Sequence, residues 1–204
     1  MEAVQLKGRD FVLLVDNSGS MERSDTRTGR TRFKEAEEAT IALAAKAIKY
    51  DPDGLTLYIF NTKFVREENV TSAERVAKVF DENEPTGSTG LDYVLADVFK
   101  SYLDRKAKGQ AKPEGEICVI ITDGEPDSPE VVKSQIEKFT QSLDKDEEYG
   151  ILFIQSGRDH SAHSYLKSLD DGLSKAKFDI VDVVTMDEVG ERSLTEVLAG
   201  AISD

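Results

Sequence analysis

Two patterns of apolar residues alternate along this chain. Short, nearly continuous apolar runs bounded by turn residues read as buried strands, and apolar positions three and four apart read as amphipathic helices. The first pattern predicts six strands, over Asp10–Asp16, Leu55–Phe60, Lys63–Asn69, Glu116–Thr122, Tyr149–Gln155 and Asp179–Val184. The second pattern fills the gaps. An Ala- and Glu-rich stretch predicts a helix from Phe33 to Tyr50, and Thr71-Ser72-Ala73-Glu74 opens another with a capping box. Leu91, Val94, Leu95, Val98 and Tyr102 share one helical face, as do Val132, Ile136, Phe139 and Leu143. Ser128 and Pro129 place an N-cap and a first-turn proline before the second of these sets. A weaker helix is expected from Ser161 to Gly172, and Ser193-Leu194-Thr195-Glu196 caps a last one that buries Leu194, Val197, Leu198 and Ile202.

The link between Phe60 and Lys63 is too short for a crossover helix, so these strands form a hairpin and one edge strand is antiparallel. Elsewhere strand alternates with helix. The expected fold class is α/β: a three-layer, doubly wound (Rossmann-like), mostly parallel sheet of six strands with one antiparallel edge strand. It is expected to form a single domain over residues 1–204.

Charge and composition narrow the partners. A formal charge of −14 repels phosphates, so neither nucleic acid nor a membrane surface is expected as a partner. The one cysteine, Cys118, lies inside a predicted strand and reads as a small core residue. Met1–Gly8 has no apolar signal-peptide core, and no apolar stretch reaches membrane-spanning length, so a cytoplasmic location is expected.

In open α/β sheets, ligands bind where strands end and the winding direction reverses. Three strand-to-helix loops carry unusual chemistry. The first strand exits into Asp16-Asn17-Ser18-Gly19-Ser20, which offers three hard oxygen donors in five residues. Thr86-Gly87-Ser88-Thr89-Gly90 precedes the helix at Leu91, and a second buried strand ends in Thr122-Asp123-Gly124-Glu125-Pro126-Asp127. If the sheet winds outward from the first strand, Asp16 and Asp123 face each other, with Thr89 reaching in. Two carboxylates and three hydroxyls suit Mg²⁺ or a similar hard cation and leave it electrophilic enough to accept one more oxygen. Taken singly, each loop also reads as an ordinary turn or helix cap.

Asp16-x-Ser18-x-Ser20, Thr89 in Gly-Ser-Thr-Gly and Asp123 in Thr-Asp-Gly resemble the metal-ion-dependent adhesion site (MIDAS) of von Willebrand factor type A (VWA) domains. The resemblance covers nearly the whole chain, strand and helix order included. It implies a VWA fold in which Ser18, Ser20 and Thr89 coordinate Mg²⁺ or Mn²⁺ and Asp16 and Asp123 act directly or through water. Ca²⁺ stays open, although three hydroxyls in a compact site favour the smaller ions. The Ser-Gly-Ser-Met form and the Thr-Asp-Gly-Glu-Pro-x-Asp loop are more similar to intracellular bacterial members than to integrins. The implied function is a divalent-cation-dependent protein-binding module, an adaptor whose bound ion takes a partner's Asp or Glu carboxylate. An AAA+ ATPase or a stress-system component is the implied kind of partner.

The competing expectation is a Mg²⁺-dependent hydrolase or phosphotransferase on the same fold. Against it, the chain has no GxSxG elbow, no Walker loop and no Asp-x-Asp nucleophile, and neither histidine falls in the three loops, so no enzyme is expected. His160 and His163 lack the further ligands of a zinc set. Arg23, Arg27, Arg30 and Arg32 crowd one segment of an acidic protein, either as a solvated insertion or as a rim that contacts a partner. Glu125 and Asp127 are candidates for the same rim, or for solvated turn residues.

Overall fold

The computed structural model describes residues 5–202, so residues 1–4 and 203–204 of the expected domain lie outside the described residues. Six strands form one sheet: β1 (Asp10–Asp16), β2 (Leu55–Phe60), β3 (Phe64–Val70), β4 (Glu116–Thr122), β5 (Tyr149–Gln155) and β6 (Val181–Thr185). Their order is β3-β2-β1-β4-β5-β6. Every pairing is parallel except that of β2 with β3, an antiparallel edge hairpin. The chain winds outward from β1 in one direction through β2 and in the other through β4, so the switch point lies between β1 and β4.

Seven helices cover the two faces among the described residues: α1 (Arg32–Ala47), α2 (Ala73–Asp81), α3 (Leu91–Ala107), α4 (Pro129–Thr140), α5 (His160–Asp170), α6 (Met186–Glu191) and α7 (Leu194–Gly200). The sorting follows the two-residue period of the strands. Phe11, Leu13 and Val15 of β1 and Ile117, Val119 and Ile121 of β4 point into a core closed by α1, α2 and α7. Val12, Leu14, Cys118 and Ile120 point into the opposite core, closed by α3, α4 and α5. Strands buried on both faces need no alternation in their sequence, which is why these runs read as continuously apolar. Cys118 is a buried core residue, as its run predicts.

Four local expectations are corrected. The edge strand begins at Phe64, because Asn61 donates its N–H to Lys63 O at 2.7 Å and accepts the Lys63 N–H on its side chain, which places Lys63 in the turn. The last strand begins at Val181, after a single contact from Ile151 N–H to Ile180 O. The cap of α2 is Ser72, which accepts from Arg75 N–H, one residue beyond the predicted Thr71 box. Helix α6 was not anticipated, although Thr185 and Glu188 cap it with a complete capping box.

The amino end of the sheet is locked by charge. Asp10, Asp51 and Asp53 place carboxylate oxygens within 4.8 Å of one another, a spacing that could take a metal ion. Lys112 fills it, pairing with Asp51, with Asp53 at 2.9 Å and with Asp10 at 3.1 Å. Asp51 also accepts the Phe11 N–H, and burial pushes its carboxyl up to about 6. Lys112→Met is expected to cost about 2–3 kcal/mol by leaving Asp51 and Asp53 without their cation, while Asp10 keeps its pair with Arg105. Lys112 lowers the Asp51 carboxyl, so its removal raises that carboxyl above about 6, and the variant should regain stability as pH falls from neutral. Ca²⁺ should stabilise the variant and not the parent at this end; urea unfolding with and without the ion measures both effects.

Candidate functional site

The carboxyl ends of β1 and β4 lie side by side, with Val15 in register with Ile121. Asp16 therefore reaches the loop after β4 without further folding, as the expected winding requires. It is fully buried: one oxygen accepts the Ser18 N–H at 2.8 Å and the other accepts the Thr122 hydroxyl at 2.6 Å. Continuing the strand alternation, Asp16 and Thr122 fall on the α3/α4 side of the sheet and Asp123 on the α1 side. A chain of oxygens links the two carboxylates. The Ser18 and Ser20 hydroxyls lie 3.0 Å apart, and Ser20 donates to Asp123 Oδ1 at 2.9 Å.

Two further loops complete a cup. Thr86 N–H donates to Asn17 O and Gly19 N–H to Gly87 O, which ties the 86–90 segment to the β1 loop. Gly87 has φ +74 and its α-carbon faces the Thr62 hydroxyl, where an added Cβ would come within 2.5 Å. Thr89 is buried and is clasped by Asp127: its N–H donates to Asp127 Oδ1 at 3.3 Å, and the Asp127 N–H donates to its carbonyl at 3.0 Å. The Thr89 hydroxyl makes no hydrogen bond among the described residues, whereas every other oxygen of the set has a protein partner.

Arg32, which the sequence places only in the arginine-rich segment, proves to be part of the site. Its guanidinium is buried at 2% exposure and donates to Asp123 Oδ2 at 2.7 Å. The other edge of the fork grips Asp25 in a bidentate pair at 2.7 and 2.5 Å. Gly157, at φ +75 in the loop after β5, makes room for it, since a Cβ there would come within 2.3 Å of Arg32 Nε. Burial works against the arginine's charge, but the hydrogen bonds to Asp25 and Asp123 outweigh it and raise its pKa. Hydrogen bonding to Arg32 holds Asp25 below its ordinary carboxylate value. On Asp16 burial dominates, with the Asp123 charge adding to it, and its carboxyl is pushed up to about 6.

The remaining rim candidates are dispersed. Arg23, Glu125 and Asp127 are exposed, with Asp127 engaged in holding Thr89. Arg30 pairs with Glu38 on the flank of α1, and Arg27 lies 3.4 Å from Asp187. His163 hydrogen-bonds Gln155, and no zinc-type cluster of His, Cys, Asp and Glu includes either histidine among the described residues.

No family model matches the sequence, and no curated protein matches it. Solved structures do. One is a variant of the PilB minor pilin from Streptococcus sanguinis, with TM-score 0.64 and 13% identity over 97% of this chain and 60% of that one. Another is the pilus adhesin SpaC from Lactobacillus rhamnosus GG, with TM-score 0.63 and 12% identity over 96% of this chain and 30% of that one. The chain thus spans less than two thirds of either relative, and at these identities the likeness is one of fold.

These comparisons correct four expectations. The neighbours point to a pilin and pilus-adhesin type of fold, which overturns the assignment to the VWA family. They overturn with it both functional expectations, the MIDAS adaptor and the Mg²⁺-dependent hydrolase or phosphotransferase. Pilus components belong to the cell surface, which overturns the cytoplasmic and intracellular-bacterial expectation. The physical reason is that five oxygens at strand ends describe a local chemistry, and a single buried cysteine does not constrain where a folded chain works. The expectation of no enzyme agrees with these neighbours, a minor pilin and a pilus adhesin. Across nearly all of its length this chain is similar in fold to part of a minor pilin and to part of a pilus adhesin.

Proposed function

We propose that this chain is a non-enzymatic binding portion of a cell-surface, pilus-type protein. Its binding face is the carboxyl end of the sheet, where Asp16, Ser18, Ser20, Thr89 and Asp123 hold a divalent cation. The observation that carries the cation is the spacing of the oxygens. Ser18, Ser20 and Asp123 stand 3.0 and 2.9 Å apart in sequence around the cup. Adjacent ligands of an octahedral Mg²⁺ at 2.0–2.1 Å are about 3.0 Å apart, whereas those of Ca²⁺ at 2.3–2.6 Å are about 3.4 Å apart. These three oxygens therefore stand at a separation that Mg²⁺ or Mn²⁺ can span, and the Thr89 hydroxyl, which makes no hydrogen bond among the described residues, is an additional donor. Bound there, the ion would supply one electrophilic position for an oxygen from outside the cup.

The surface around the cup supports the same face. The exposed large hydrophobic residues among those described are Phe64, Val65, Tyr93 and Val131. Phe64 and Val65 pair with Phe60 and Ile59 at the carboxyl end of β2. Tyr93 and Val131 stand in the first turns of α3 and α4, just after the loops that carry Thr89 and Asp123. Apolar side chains gathered on one face beside polar loops suit a protein ligand.

Thermal unfolding with Mg²⁺ against EDTA tests the reading. At Mg²⁺ about a hundredfold above its dissociation constant, the midpoint should rise by about 5–10 °C. Asp16→Ala should abolish that rise while remaining folded by far-UV circular dichroism. No Mg²⁺-dependent shift, together with no binding heat in calorimetry, overturns the cation reading. Antibody labelling of intact cells that produce the full-length protein tests the surface location separately.

A further inference from the structure

Next to the cup, a cavity of about 340 Å³ opens between the carboxyl ends of β5 and β6. Gly157 forms part of its wall and also seats Arg32 against Asp123, so the cavity and the cup share that loop. Two arginines face the cavity. Arg27 Nε lies 3.4 Å and Arg158 Nη2 3.8 Å from opposite oxygens of Asp187, and all three side chains are about half exposed or more. Among the described residues neither guanidinium donates a hydrogen bond, so both forks keep their donors for another acceptor.

The other acids at the cavity are already engaged. Asp159 caps α5 by accepting from the N–H groups of Ser161 and Ala162 and from the Ser161 hydroxyl. Glu35 accepts from Thr28. Asp187 is therefore the carboxylate that the two arginines share, and it satisfies neither.

The floor is preset. Gln155, at 2% exposure, donates its amide N–H to Asp159 O at 2.8 Å. Its amide oxygen must then accept from His163 Nδ1, 2.9 Å away. The His163 ring therefore carries a proton on Nδ1, facing Gln155. Met186 and the aliphatic stems of the arginines give the cavity an apolar side.

We infer that this cavity takes an acidic side chain of a peptide ligand. The ligand's carboxylate displaces Asp187 and is held by Arg27 and Arg158, while its neighbouring apolar groups rest on Met186. Asp187 is an internal stand-in for that carboxylate, placed between the two guanidiniums without the close geometry of a bidentate pair. A carboxylate on an apolar stem fits the cavity's size and mixed lining better than a small inorganic anion does. The inference shares only the binding face with the cation reading, since no cation is needed in the cavity.

The test uses the ¹⁵N-labelled protein in EDTA, which keeps the cup out of the measurement. The probes are the capped peptide acetyl-Glu-Leu-Glu-Leu-amide, its Gln-for-Glu counterpart and inorganic phosphate. The Glu peptide should shift the amide signals of Gly157, Arg158, His163 and Met186, and the Gln peptide should bind at least about tenfold more weakly. The double variant Arg27→Ala/Arg158→Ala should weaken the Glu peptide to a similar degree. Asp187→Asn should tighten it several-fold, a gain that a merely structural role for Asp187 would not produce. Equal binding of the two peptides, unchanged or weaker binding by Asp187→Asn, or tighter binding of phosphate than of the Glu peptide each overturns the inference. Because Mg²⁺ is absent throughout, none of these outcomes bears on the cation cup, whose failure would appear only in the Mg²⁺ titration.

Discussion

Replacing Arg32 with methionine is expected to destabilise the fold by about 3–5 kcal/mol, the cost of removing one partner from a buried charge pair. The arginine is buried, and its loss leaves Asp123 uncompensated beside Asp16 while Asp25 loses its bidentate partner. The variant should also respond more strongly to Mg²⁺ than the parent does. In the parent, the guanidinium already neutralises Asp123, so an incoming ion gains less there. In Arg32→Met the ion meets two unpaired carboxylates, and the Mg²⁺-dependent gain should restore part of the lost stability. Arg32→Lys should fall between, since a single ammonium cannot span Asp25 and Asp123 as the planar fork does. Urea unfolding of the three proteins with and without Mg²⁺ measures both effects. An equal Mg²⁺ response in parent and methionine variant would separate Arg32 from the cup.

Asp16→Asn should do the opposite to the ion-free protein. Burial, together with the Asp123 charge, pushes the Asp16 carboxyl from its ordinary value of 3.8 up to about 6. Protonation therefore favours the fold. The cost of carrying the charge is complete above about pH 6 and disappears as pH falls below 3.8. At about 1.4 kcal/mol for each pH unit of displacement, that cost is about 3 kcal/mol at neutral pH. Asparagine keeps an oxygen for the Ser18 N–H and offers its amide to the Thr122 hydroxyl, so most of this cost is recovered. We expect the variant to be about 1–3 kcal/mol more stable than the parent in EDTA at pH 7. Its advantage should shrink towards pH 4, and its response to Mg²⁺ should vanish. A destabilised variant at pH 7 would mean that the carboxylate's hydrogen bonds outweigh its desolvation.

Why the fold was so legible, and part of the site was not, follows from the range over which each residue acts. The parallel strands β1, β2, β4 and β5 are buried on both faces, and their ends agree with the apolar runs to the residue. The hairpin edge was legible from loop length alone, and the neighbouring positions of β1 and β4 from the rule that winding reverses at a ligand-bearing loop. The register of β3 was not, because Asn61 turns back on Lys63 through a side-chain contact that periodicity does not carry. Helix α6 escaped because six residues are too few to display a helical period, although its capping box is explicit in Thr185 and Glu188.

At the site, Asp16, Ser18, Ser20, Thr89 and Asp123 stood out because hard oxygens at strand ends are chemically conspicuous. The structure links Ser18, Ser20 and Asp123 through successive contacts and holds Thr89 by Asp127. Thr122 and Arg32 were missed for different reasons. Thr122 is an ordinary strand residue until the register sets it across from Asp16. Arg32 sits among three exposed arginines, and only its burial against Gly157 distinguishes it. A position at the first turn of the helix that follows the Asp-x-Ser-x-Ser loop was the available signal. The family assignment and the cytoplasmic location are the expectations that the comparisons overturn, and neither follows from the position of these oxygens.

The joining of β1 to β4 has a consequence for when the cup can exist. The Asp16–Thr122 contact closes a sequence separation of 106 residues. A calcium loop of the EF-hand kind gathers its ligands from 12 consecutive residues, so a short peptide already carries them. Here a growing chain that has completed β1, β2 and β3 holds only the Asp16 half of the cup. The other half arrives with the fourth strand, through long-range parallel pairing of the kind that forms slowly. No early fragment can be templated by an ion at this position. Any cation response the protein displays is a measure of chains that have finished folding.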